Sequence, residues 1–388
     1  MTSRSTARAM TTEVAEAVRL REGPEAVAQA LRLVGSAGTL TLKDLARAVH
    51  LPVPVLAAMR HELEARGVLV RNAGLTLSPF GQELLAELGG PWSPAVCAAC
   101  NGTGVVIPER YHEVLHTLRA LWDRRPSVDV QLDQSFALPE SNLRRVLFAL
   151  DHGAILGKRV LFLGDDDAGS VAVALLARTL GSVVAVSALD IDGRVLGYLR
   201  DAAAAEGVRV DLHEHDVREP LPEALLGEYD TVLTDPPYTV PGLELFLSRA
   251  LEATGPQPGA QVFLSFGHKS PDEAVRVLAS ISGMGLALTE LRPGFNRYEG
   301  ASVLAGTSDL YHLVTTREAT ATVRGAQQGG IYTGELRPRT RQYVCRDCGA
   351  SYTIGSGQRF PTIEALKAAG CATCGTHRFD QSRRTRTG

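Results

Sequence analysis

Apolar and polar positions follow two different periods along the chain, and the first 90 residues show the helical one. Val55, Met59 and Leu63 recur every fourth residue, which places them on one face of an amphipathic helix. Gly67 ends that helix, and the runs on either side of residues 72–74 then predict a hairpin. The order helix, turn, helix, strand, turn, strand predicts a winged-helix-like domain over residues 1–90.

A domain of this type binds DNA, mediates dimerisation or covers a substrate. The helix that would enter a DNA groove, PVLAAMRHELEARG, carries two arginines but also two glutamates. Its net charge therefore gives little attraction to phosphates. We favour dimerisation or substrate covering over DNA binding, and we expect the protein to form a homodimer.

The period changes after a mostly helical connector over residues 91–150. Apolar runs of strand length, such as KRVLFLG, SVVAVSALD and AQVFLSFG, alternate there with helical stretches such as SVAVALLARTL. This alternation predicts an α/β domain over residues 151–320, with a Rossmann-like, methyltransferase-type doubly wound sheet and ligands at the carboxyl ends of the strands. The polar, Gly-rich stretch 321–342 predicts a linker, and residues 343–388 a small cysteine module with a basic tail.

Composition and charge narrow the function classes. The chain has 388 residues, of which 45% are hydrophobic and 21% charged, and this is enough for two or three folded domains. Its net charge of −3 gives no general attraction to nucleic acids or anionic membranes. No apolar run reaches the ~18 residues of a membrane span, and the N-terminus lacks the apolar core of a signal peptide. We therefore predict a cytoplasmic protein without a membrane partner.

Acidic residues follow four successive predicted strands, at the edge where a methyltransferase-type sheet holds its nucleoside. Asp190 ends the second strand, where a carboxylate typically accepts hydrogen bonds from ribose hydroxyls. Asp216 ends the third, where a carboxylate often holds the adenine amino group. Each position alone is equally typical of a helix cap or a solvated loop. Their order along the chain predicts a nucleoside site of the S-adenosylmethionine (SAM) type.

The loop after the first of these strands reads Gly164-Asp165-Asp166-Asp167, and it keeps one of the three glycines that let SAM approach the backbone in ordinary sites. Like charges repel by roughly 1–4 kcal/mol per close pair, so these carboxylates would repel the carboxylate of SAM. A cationic aminopropyl group would be attracted instead. The loop predicts decarboxylated SAM as the donor and a polyamine as the acceptor. A metal ion on the loop, or an aspartate that caps the next helix, is the alternative.

The fourth strand ends in Asp235-Pro236-Pro237-Tyr238. The aspartate carboxylate and a carbonyl of a proline-fixed turn can accept hydrogen bonds from an attacking nitrogen and aim its lone pair. The tyrosine ring can stack on the acceptor or lie over a cation. A plain strand-to-loop turn is the alternative. The segment predicts transfer to a nitrogen atom. A polyamine nitrogen arrives protonated at pH 7, so we expect Asp235 or a carboxylate of the loop that begins at Gly164 to act as the base that removes its proton.

These motifs, together with the stretches DQSFALPESNLRRV and FNRYEGAS…LYHL, resemble the branched-chain polyamine synthases, also called N4-bis(aminopropyl)spermidine synthases. The resemblance covers roughly residues 30–316 and implies a winged-helix-like domain joined to a Rossmann-like catalytic domain. It implies aminopropyl transfer from decarboxylated SAM to the secondary amine of spermidine, with release of 5′-methylthioadenosine. It makes Asp133 and Glu299 candidates for contacts to the acceptor amine, and surface or capping roles are the alternative for both. The resemblance also implies five residues at the reaction centre, which are Asp165, Asp166, Asp167, Asp235 and Tyr238.

All six cysteines stand in C-x-x-C pairs, which indicates metal or redox chemistry in an intracellular chain. The two C-terminal pairs predict a ribbon with a structural zinc ion, and a redox pair is the alternative. This module is not part of the family pattern. The third pair begins C-x2-C-x11-H-x3-H, one residue short of a zinc-finger spacing. The alternatives there are free thiols or completion by another chain. The ribbon ligands are Cys345, Cys348, Cys371 and Cys374, and those of the second set are Cys97, Cys100, His112 and His116.

Two other function classes stay open from the sequence. One is an enzyme that uses intact SAM to transfer a methyl or 3-amino-3-carboxypropyl group to an amine or a nucleic acid. The lost glycines and the acidic loop argue against it. The other is a winged-helix transcription regulator that senses a nucleoside or polyamine. Nucleic acid is therefore a possible but not a favoured partner, and the arginines at positions 337, 339, 341, 383, 384 and 386 would be its contacts or a solvated face.

Overall fold

The computed structural model describes residues 6–37, 40–71, 74–299, 306–336, 340–355, 358–360 and 362–382. The N-terminal domain contains five helices and one antiparallel hairpin around a core of its own. These elements are α1 (Thr6–Ala17), α2 (Pro24–Ala37), α3 (Leu42–Ala48), α4 (Val53–Ala65), β1 (Leu69–Arg71), β2 (Leu75–Leu77) and α5 (Pro79–Glu87).

The order of elements from α3 to β2 is the order that the sequence predicts, although the winged-helix assignment itself stays a prediction. Thr41 caps α3 through its side-chain oxygen, which accepts from the backbone N–H of Asp44. Met59 and Leu63 of the predicted stripe are buried in the domain core, whereas Val55 is only partly buried. Val55 lies instead on the wall of a cavity shared with the catalytic domain. The start of α4 thus faces the cavity, and a role of this domain in covering a substrate stays a prediction.

Two helices of the connector pack on the catalytic domain. These helices are α6 (His112–Trp122) and α7 (Pro139–Asp151). Val114, Leu118 and Leu121 of α6 are buried against α7 and the helix that follows the first strand of the sheet. The connector is therefore part of the catalytic core.

The catalytic domain contains one seven-stranded sheet with helices on both faces. Its elements are β3 (Arg159–Leu163), α8 (Gly169–Thr179), β4 (Ala185–Asp190), α9 (Gly193–Glu206), β5 (Asp211–Glu214), β6 (Thr231–Thr234), α10 (Val240–Thr254), β7 (Gln261–Phe266), α11 (Pro271–Gly283), β8 (Leu286–Arg297) and β9 (Thr307–Thr315). The spatial order of the strands is β5-β4-β3-β6-β7-β9-β8. The first five are parallel to one another, β9 pairs antiparallel with β7, and β8 pairs antiparallel with β9. This confirms the predicted doubly wound, mainly parallel sheet.

The segment that follows β9 packs on the catalytic domain along much of the range predicted as a linker. Ile331 is fully buried and Tyr332 is 7% exposed. The guanidinium of Arg249, also fully buried, donates to the carbonyls of Gly325 at 2.7 Å and Arg218 at 3.2 Å. We call residues 319–336 the strap; it ends in α12 (Thr333–Leu336). The polar composition of this segment reflects its surface position and does not make it a free linker.

The C-terminal module is a three-stranded sheet with the order β11-β10-β12 and a short helix. Its elements are β10 (Arg341–Cys345), β11 (Ser351–Ile354), α13 (Ile363–Ala369) and β12 (Phe379–Gln381). Its core contains Tyr343, Ile354, Leu366 and Phe379. The arginines of the tail at 383, 384 and 386, and those at 337 and 339, lie outside the described residues. Of the helices in the described part of the chain, none has the length and apolar character to cross a membrane.

Candidate active site

A cavity of about 1030 Å³ opens at the carboxyl ends of β3, β4 and β6. Its other walls include the loop between α1 and α2, the start of α4, residues 128–135, the loops after β5 and β7, the start of α11 and the strap. Among the described residues that line it, carboxylates outnumber lysines and arginines. The cavity therefore favours a ligand with several positive charges. The carboxylates are Glu22, Asp133, Asp166, Asp190, Asp216, Asp235, Glu273 and Glu299, and the lysines and arginines are Arg19, Arg21, Lys269 and Arg276.

The first aspartate of the acidic loop caps a helix. One carboxylate oxygen of Asp165 accepts from the backbone N–H of Gly169 at 2.6 Å, and the other accepts from the N–H of Ser170 at 3.1 Å and from its hydroxyl. Both oxygens are thus bonded to the first turn of α8. Burial raises the pKa of Asp165 to about 7, although the hydrogen bonds to Ser170 and Gly169 oppose the shift. In the structure the Asp165 carboxylate holds the loop on α8, which is the capping role given as the alternative, and a role for Asp165 at the reaction centre stays a prediction.

The third aspartate of the loop is held by an arginine that the sequence analysis did not single out. Asp167 forms an ion pair with Arg145 of α7, and its other oxygen accepts from the backbone N–H of Ala137 at 2.5 Å. The side chains of Arg145 and Asp167 are 11% and 5% exposed. Arg145 also donates to Asp235 at 3.4 Å and to the hydroxyl of Ser265 at 3.3 Å. One buried guanidinium therefore neutralises and fixes two of the predicted acids.

The second aspartate is the member of the loop that faces the cavity. Asp166 lines it, and within the described part of the chain no hydrogen-bond donor reaches its carboxylate. Burial, with the charges of Asp167, Asp190 and Asp235, raises the pKa of Asp166 well above its ordinary value. Gly164 precedes the loop with φ +75°, a left-handed conformation that favours glycine, and it donates its N–H to the carbonyl of Leu189 at 2.8 Å.

Asp235 faces the same cavity from the end of β6. The hydroxyl of Tyr298 donates to its carboxylate at 2.5 Å and lies 2.8 Å from the hydroxyl of Ser308. Burial raises the pKa of Asp235 to about 6, although Arg145 opposes the shift. Tyr238 lines the cavity and packs edge-on against a phenylalanine ring of β7, 5.5 Å between centroids. Pro236 and Pro237 line the cavity between these two residues.

The acids predicted to hold the nucleoside lie along another wall of the cavity. Asp190 is 8% exposed, and its carboxylate accepts from the backbone N–H groups of Asp192 at 2.8 Å and Asp165 at 3.1 Å. Asp216 accepts from the N–H of Arg218 at 2.9 Å. Tyr332 of the strap lines the same cavity, and burial raises the pKa of its phenol, with smaller contributions from the charges of Asp216 and Asp190. The strap therefore supplies an aromatic ring to this wall, which the linker prediction missed.

Asp133 and Glu299 line the cavity too, but other protein groups already bind both carboxylates. Asp133, in a left-handed conformation with φ +54°, accepts from the N–H of Thr333 in the strap at 2.6 Å. Glu299 forms an ion pair with Arg125 and its side chain is 61% exposed. In the structure, Asp133 anchors the strap and Glu299 occupies the rim. A role for either residue in acceptor binding stays a prediction.

The four cysteines of the C-terminal module come together. Their sulfur atoms all lie within 4.8 Å of one another, with 3.5 Å between Cys345 and Cys374 and the same distance between Cys348 and Cys371. Four thiolates around a zinc ion, each with a bond of about 2.3 Å, would be about 3.8 Å apart. The arrangement matches the geometry of a zinc site with four cysteine ligands.

The second predicted metal set does not assemble. Cys97, Cys100, His112 and His116 all belong to the described residues, and no group of three or more metal-binding side chains includes any of them. Helix α6 buries its apolar face, so both of its histidines point to solvent. Cys97 is exposed while Cys100 is 6% exposed. Within this chain the four residues of the finger-like spacing therefore do not form one metal site, and completion of the set by another chain stays a prediction.

The sequence contains only weak indications that Arg145, Asn142 and Tyr298 belong to the site. Arg145 and Asn142 stand three apart on the face of α7 that is otherwise buried, and a polar pair there indicates a partner inside the fold. Asn142 donates to the carbonyl of Asp167 at 2.6 Å, which completes the support of the loop. Tyr298 lies within the quoted stretch FNRYEGAS, but nothing in that stretch identifies the tyrosine as the partner of Asp235.

Comparison with known proteins gives one consistent family. The model of the branched-chain polyamine synthase A C-terminal domain matches residues 113–340, more than half of the chain. The N(4)-bis(aminopropyl)spermidine synthase of Thermus thermophilus is 35% identical over 291 residues, 74% of this chain and 82% of that protein. An uncharacterised protein of Methanocaldococcus jannaschii is 35% identical over 374 residues, 96% of this chain and 92% of the relative.

A solved structure supports the same assignment. The crystal structure of the branched-chain polyamine synthase from Thermus thermophilus, in complex with N4-aminopropylspermidine and 5′-methylthioadenosine, matches this fold with a TM-score of 0.69 and 30% sequence identity. The match covers 84% of this chain and 98% of that one. The acidic loop and the Asp-Pro-Pro-Tyr turn open onto one cavity in a fold of this type. The chain belongs to the branched-chain polyamine synthase family.

Proposed function

We propose that this protein is an aminopropyltransferase that moves the aminopropyl group of decarboxylated SAM to the secondary amine of a linear polyamine such as spermidine. The products are a branched polyamine and 5′-methylthioadenosine. The observation that carries the proposal is the carboxylate of Asp166, which faces a cavity rich in acids and has no hydrogen-bond donor among the described residues. The Thermus thermophilus relative, whose structure holds N4-aminopropylspermidine and 5′-methylthioadenosine, supports it.

The donor follows from the charge at the acidic loop. Of the three aspartates, Asp166 alone has a carboxylate that faces the cavity without a hydrogen-bond donor among the described residues, so one charge provides the repulsion that the sequence predicts from three. It would repel the carboxylate of intact SAM by about 1–4 kcal/mol at a close approach. Arg145, which could otherwise bind that carboxylate, is already bonded to Asp167 and Asp235. The same charge attracts the ammonium of an aminopropyl group.

The chemistry is a displacement at carbon. The lone pair of the secondary amine attacks the methylene carbon through which the aminopropyl group is bonded to sulfur. A new C–N bond forms at that carbon, and its C–S bond breaks. Its electron pair returns to the sulfonium sulfur, which becomes the neutral thioether of 5′-methylthioadenosine. Because the sulfonium is a good leaving group, the protein mainly has to orient the amine and remove its proton.

Asp166 and Asp235 divide the work on the acceptor amine. Asp235 is held rigidly by Tyr298 and Arg145, and this suits it to orient the nitrogen. Asp166 has a carboxylate free of such bonds and takes the proton. Its raised pKa makes it a good acceptor of that proton, and the positive charges of the bound donor and polyamine favour its ionised form before transfer. Asp190, Asp216 and Tyr332 hold the nucleoside.

Mass spectrometry of the reaction products tests this function. The purified protein is incubated with decarboxylated SAM or with intact SAM, each with putrescine, spermidine and spermine. We expect one or two aminopropyl units on spermidine, and release of 5′-methylthioadenosine, only with the decarboxylated donor. Putrescine is the matched control acceptor, because it lacks a secondary amine. A methyl or aminocarboxypropyl gain from intact SAM would instead show that the charge of Asp166 does not select the donor.

We infer that the C-terminal module binds one structural zinc ion through its four cysteines, which the sulfur positions support. Replacing Cys345 and Cys374 together by serine is expected to remove that ion and to unfold the module, because its core contains few other apolar side chains. Metal analysis by mass spectrometry and limited proteolysis measure the two effects. Cys97→Ser is the matched control and should change neither. Equal zinc content in both variants would reject the site.

The homodimer expected from the sequence remains part of this proposal. Light scattering on the purified full chain measures its mass in solution.

A further inference from the structure

A second group of metal-binding side chains lies outside the cysteine module. His50, His268 and Asp309 each offer one ligand atom, and these three atoms all lie within 4.8 Å of one another. The Nδ1 atom of His268 is 3.5 Å from a carboxylate oxygen of Asp309. The rings of the two histidines are 5.4 Å apart between centroids. Two imidazoles and one carboxylate are a common ligand set for divalent transition metals.

The distances fit coordination better than a hydrogen-bonded triad. Ligand atoms around a tetrahedral zinc ion, with bonds of about 2.0–2.2 Å to nitrogen and oxygen, lie about 3.4 Å apart. The measured 3.5 Å between His268 and Asp309 matches that spacing and is long for a charge-assisted hydrogen bond. The other oxygen of Asp309 accepts from the N–H of Gly294 at 2.8 Å, which orients the carboxylate as a second-sphere partner would orient a ligand.

The three side chains come from two domains. His50 follows α3 of the N-terminal domain and has φ +53°, a left-handed conformation that is uncommon for a residue with a side chain. Asp309 belongs to β9, and His268 to the loop after β7 in the catalytic domain. Besides these side chains, Arg21 forms an exposed ion pair with Glu273 across the same boundary, at 3.5 Å. An exposed pair of this kind stabilises an interface little, whereas a metal ion would fix it.

Each ligand of the catalytic domain is next to a residue of the active site. Lys269 follows His268, lines the cavity and donates to the carbonyl of Tyr238 at 2.6 Å. Ser308 precedes Asp309 and bonds the hydroxyl of Tyr298, the partner of Asp235. His268 itself lines the cavity. An ion bound here would hold the start of α4 over the cavity mouth and steady both loops around the acceptor.

We propose that His50, His268 and Asp309 bind one divalent transition-metal ion, such as Zn²⁺, which clamps the N-terminal domain onto the mouth of the active site. The ion is distinct from the one in the cysteine module. It supplies no step of the reaction, and its role is to fix the relative position of the two domains.

Metal counting on the full chain tests the site. The protein is loaded with Zn²⁺, desalted, and its bound zinc is counted by native mass spectrometry. We expect two ions for the wild type and one for His50→Asn, which preserves the left-handed backbone because asparagine tolerates it. His268→Ala provides a second variant with the same expected loss. His61→Asn is the matched control, an exposed histidine of the same domain, and should keep both ions.

Cobalt substitution separates the two sites without relying on one variant. Co²⁺ in the cysteine module gives a sulfur-to-metal charge-transfer band, whereas Co²⁺ bound by imidazole and carboxylate gives only d–d bands. Replacing Cys345 and Cys374 by serine should remove the charge-transfer band and leave d–d absorption that His50→Asn then removes. A wild type with a single ion, lost only with the cysteines, would overturn the proposal. Unchanged zinc content in both histidine variants would do the same.

Discussion

Asp166→Asn is expected to lower kcat for aminopropyl transfer by about 10²–10⁴-fold, the usual contribution of a positioned proton acceptor. The amide cannot take the proton of the attacking amine, and it offers no negative charge to the aminopropyl ammonium of the donor. Asparagine has nearly the same shape, and the Asp166 carboxylate has no hydrogen bond to lose within the described part of the chain. The fold should therefore be intact. Initial rates of 5′-methylthioadenosine release measure the loss, and circular dichroism checks the fold.

Two companion variants make this result specific. Asp201→Asn changes an exposed carboxylate of α9 that lies away from the cavity, and it should leave the rate unchanged. Asp165→Ala removes the cap of α8 and should cost about 0.5–2 kcal/mol of the free energy of unfolding. If Asp166→Asn retained most of its activity, the proton would have to go to another group, and Asp235 would be the next candidate.

The sheet and the positions of its loops could be predicted because parallel strands are buried on both faces and appear as continuous apolar runs. The strand pattern, interpreted as a methyltransferase-type sheet, therefore places Gly164, Asp190, Asp216 and Asp235 at one edge of the sheet, and the structure has them there. Periodicity says nothing about which oxygen of a loop carboxylate meets which donor. The three neighbouring aspartates look alike in sequence, and the structure gives each a different partner.

Those partners come from distant parts of the chain. Arg145 stands 22 residues before Asp167 and 90 before Asp235, and Tyr298 stands 63 after Asp235. Only the packing of α7 under the acidic loop brings the guanidinium between the two carboxylates.

The two predicted cysteine sites show the same limit, because one depends on local sequence and the other on how distant segments pack. The ribbon could be predicted because each C-x-x-C pair is local and the module is small. A metal site shared by Cys97, Cys100 and the two histidines of α6 would require those histidines to face the cysteines. The apolar stripe of α6 is buried instead, so the histidines on its opposite face point to solvent.

The strap shows that a polar composition does not establish a linker. Its apolar content is low, but Ile331 and Tyr332 are enough to fix it when a buried cation holds the backbone. Arg249 provides that cation and bonds the carbonyl of Gly325 at 2.7 Å. A hydrogen bond from a charged donor to a backbone carbonyl contributes about 1.5–3 kcal/mol, which replaces the apolar burial that a sequence pattern detects.

Arg145→Leu is expected to cost about 3–5 kcal/mol of the free energy of unfolding, because it leaves the carboxylates of Asp167 and Asp235 buried without their cation. Denaturant titration measures the loss at neutral pH. Arg144→Leu, at the adjacent position of α7, is the matched control, since no ion pair of Arg144 is found among the described residues, and it should cost much less. Adding Asp167→Asn to Arg145→Leu removes one uncompensated charge and should restore part of the stability.

Equal losses in the two arginine variants, with no recovery in the double variant, would mean that Arg145 contributes packing and not charge. In that case the packing of the Arg145 side chain, and not its charge, would hold Asp167 and Asp235 in place.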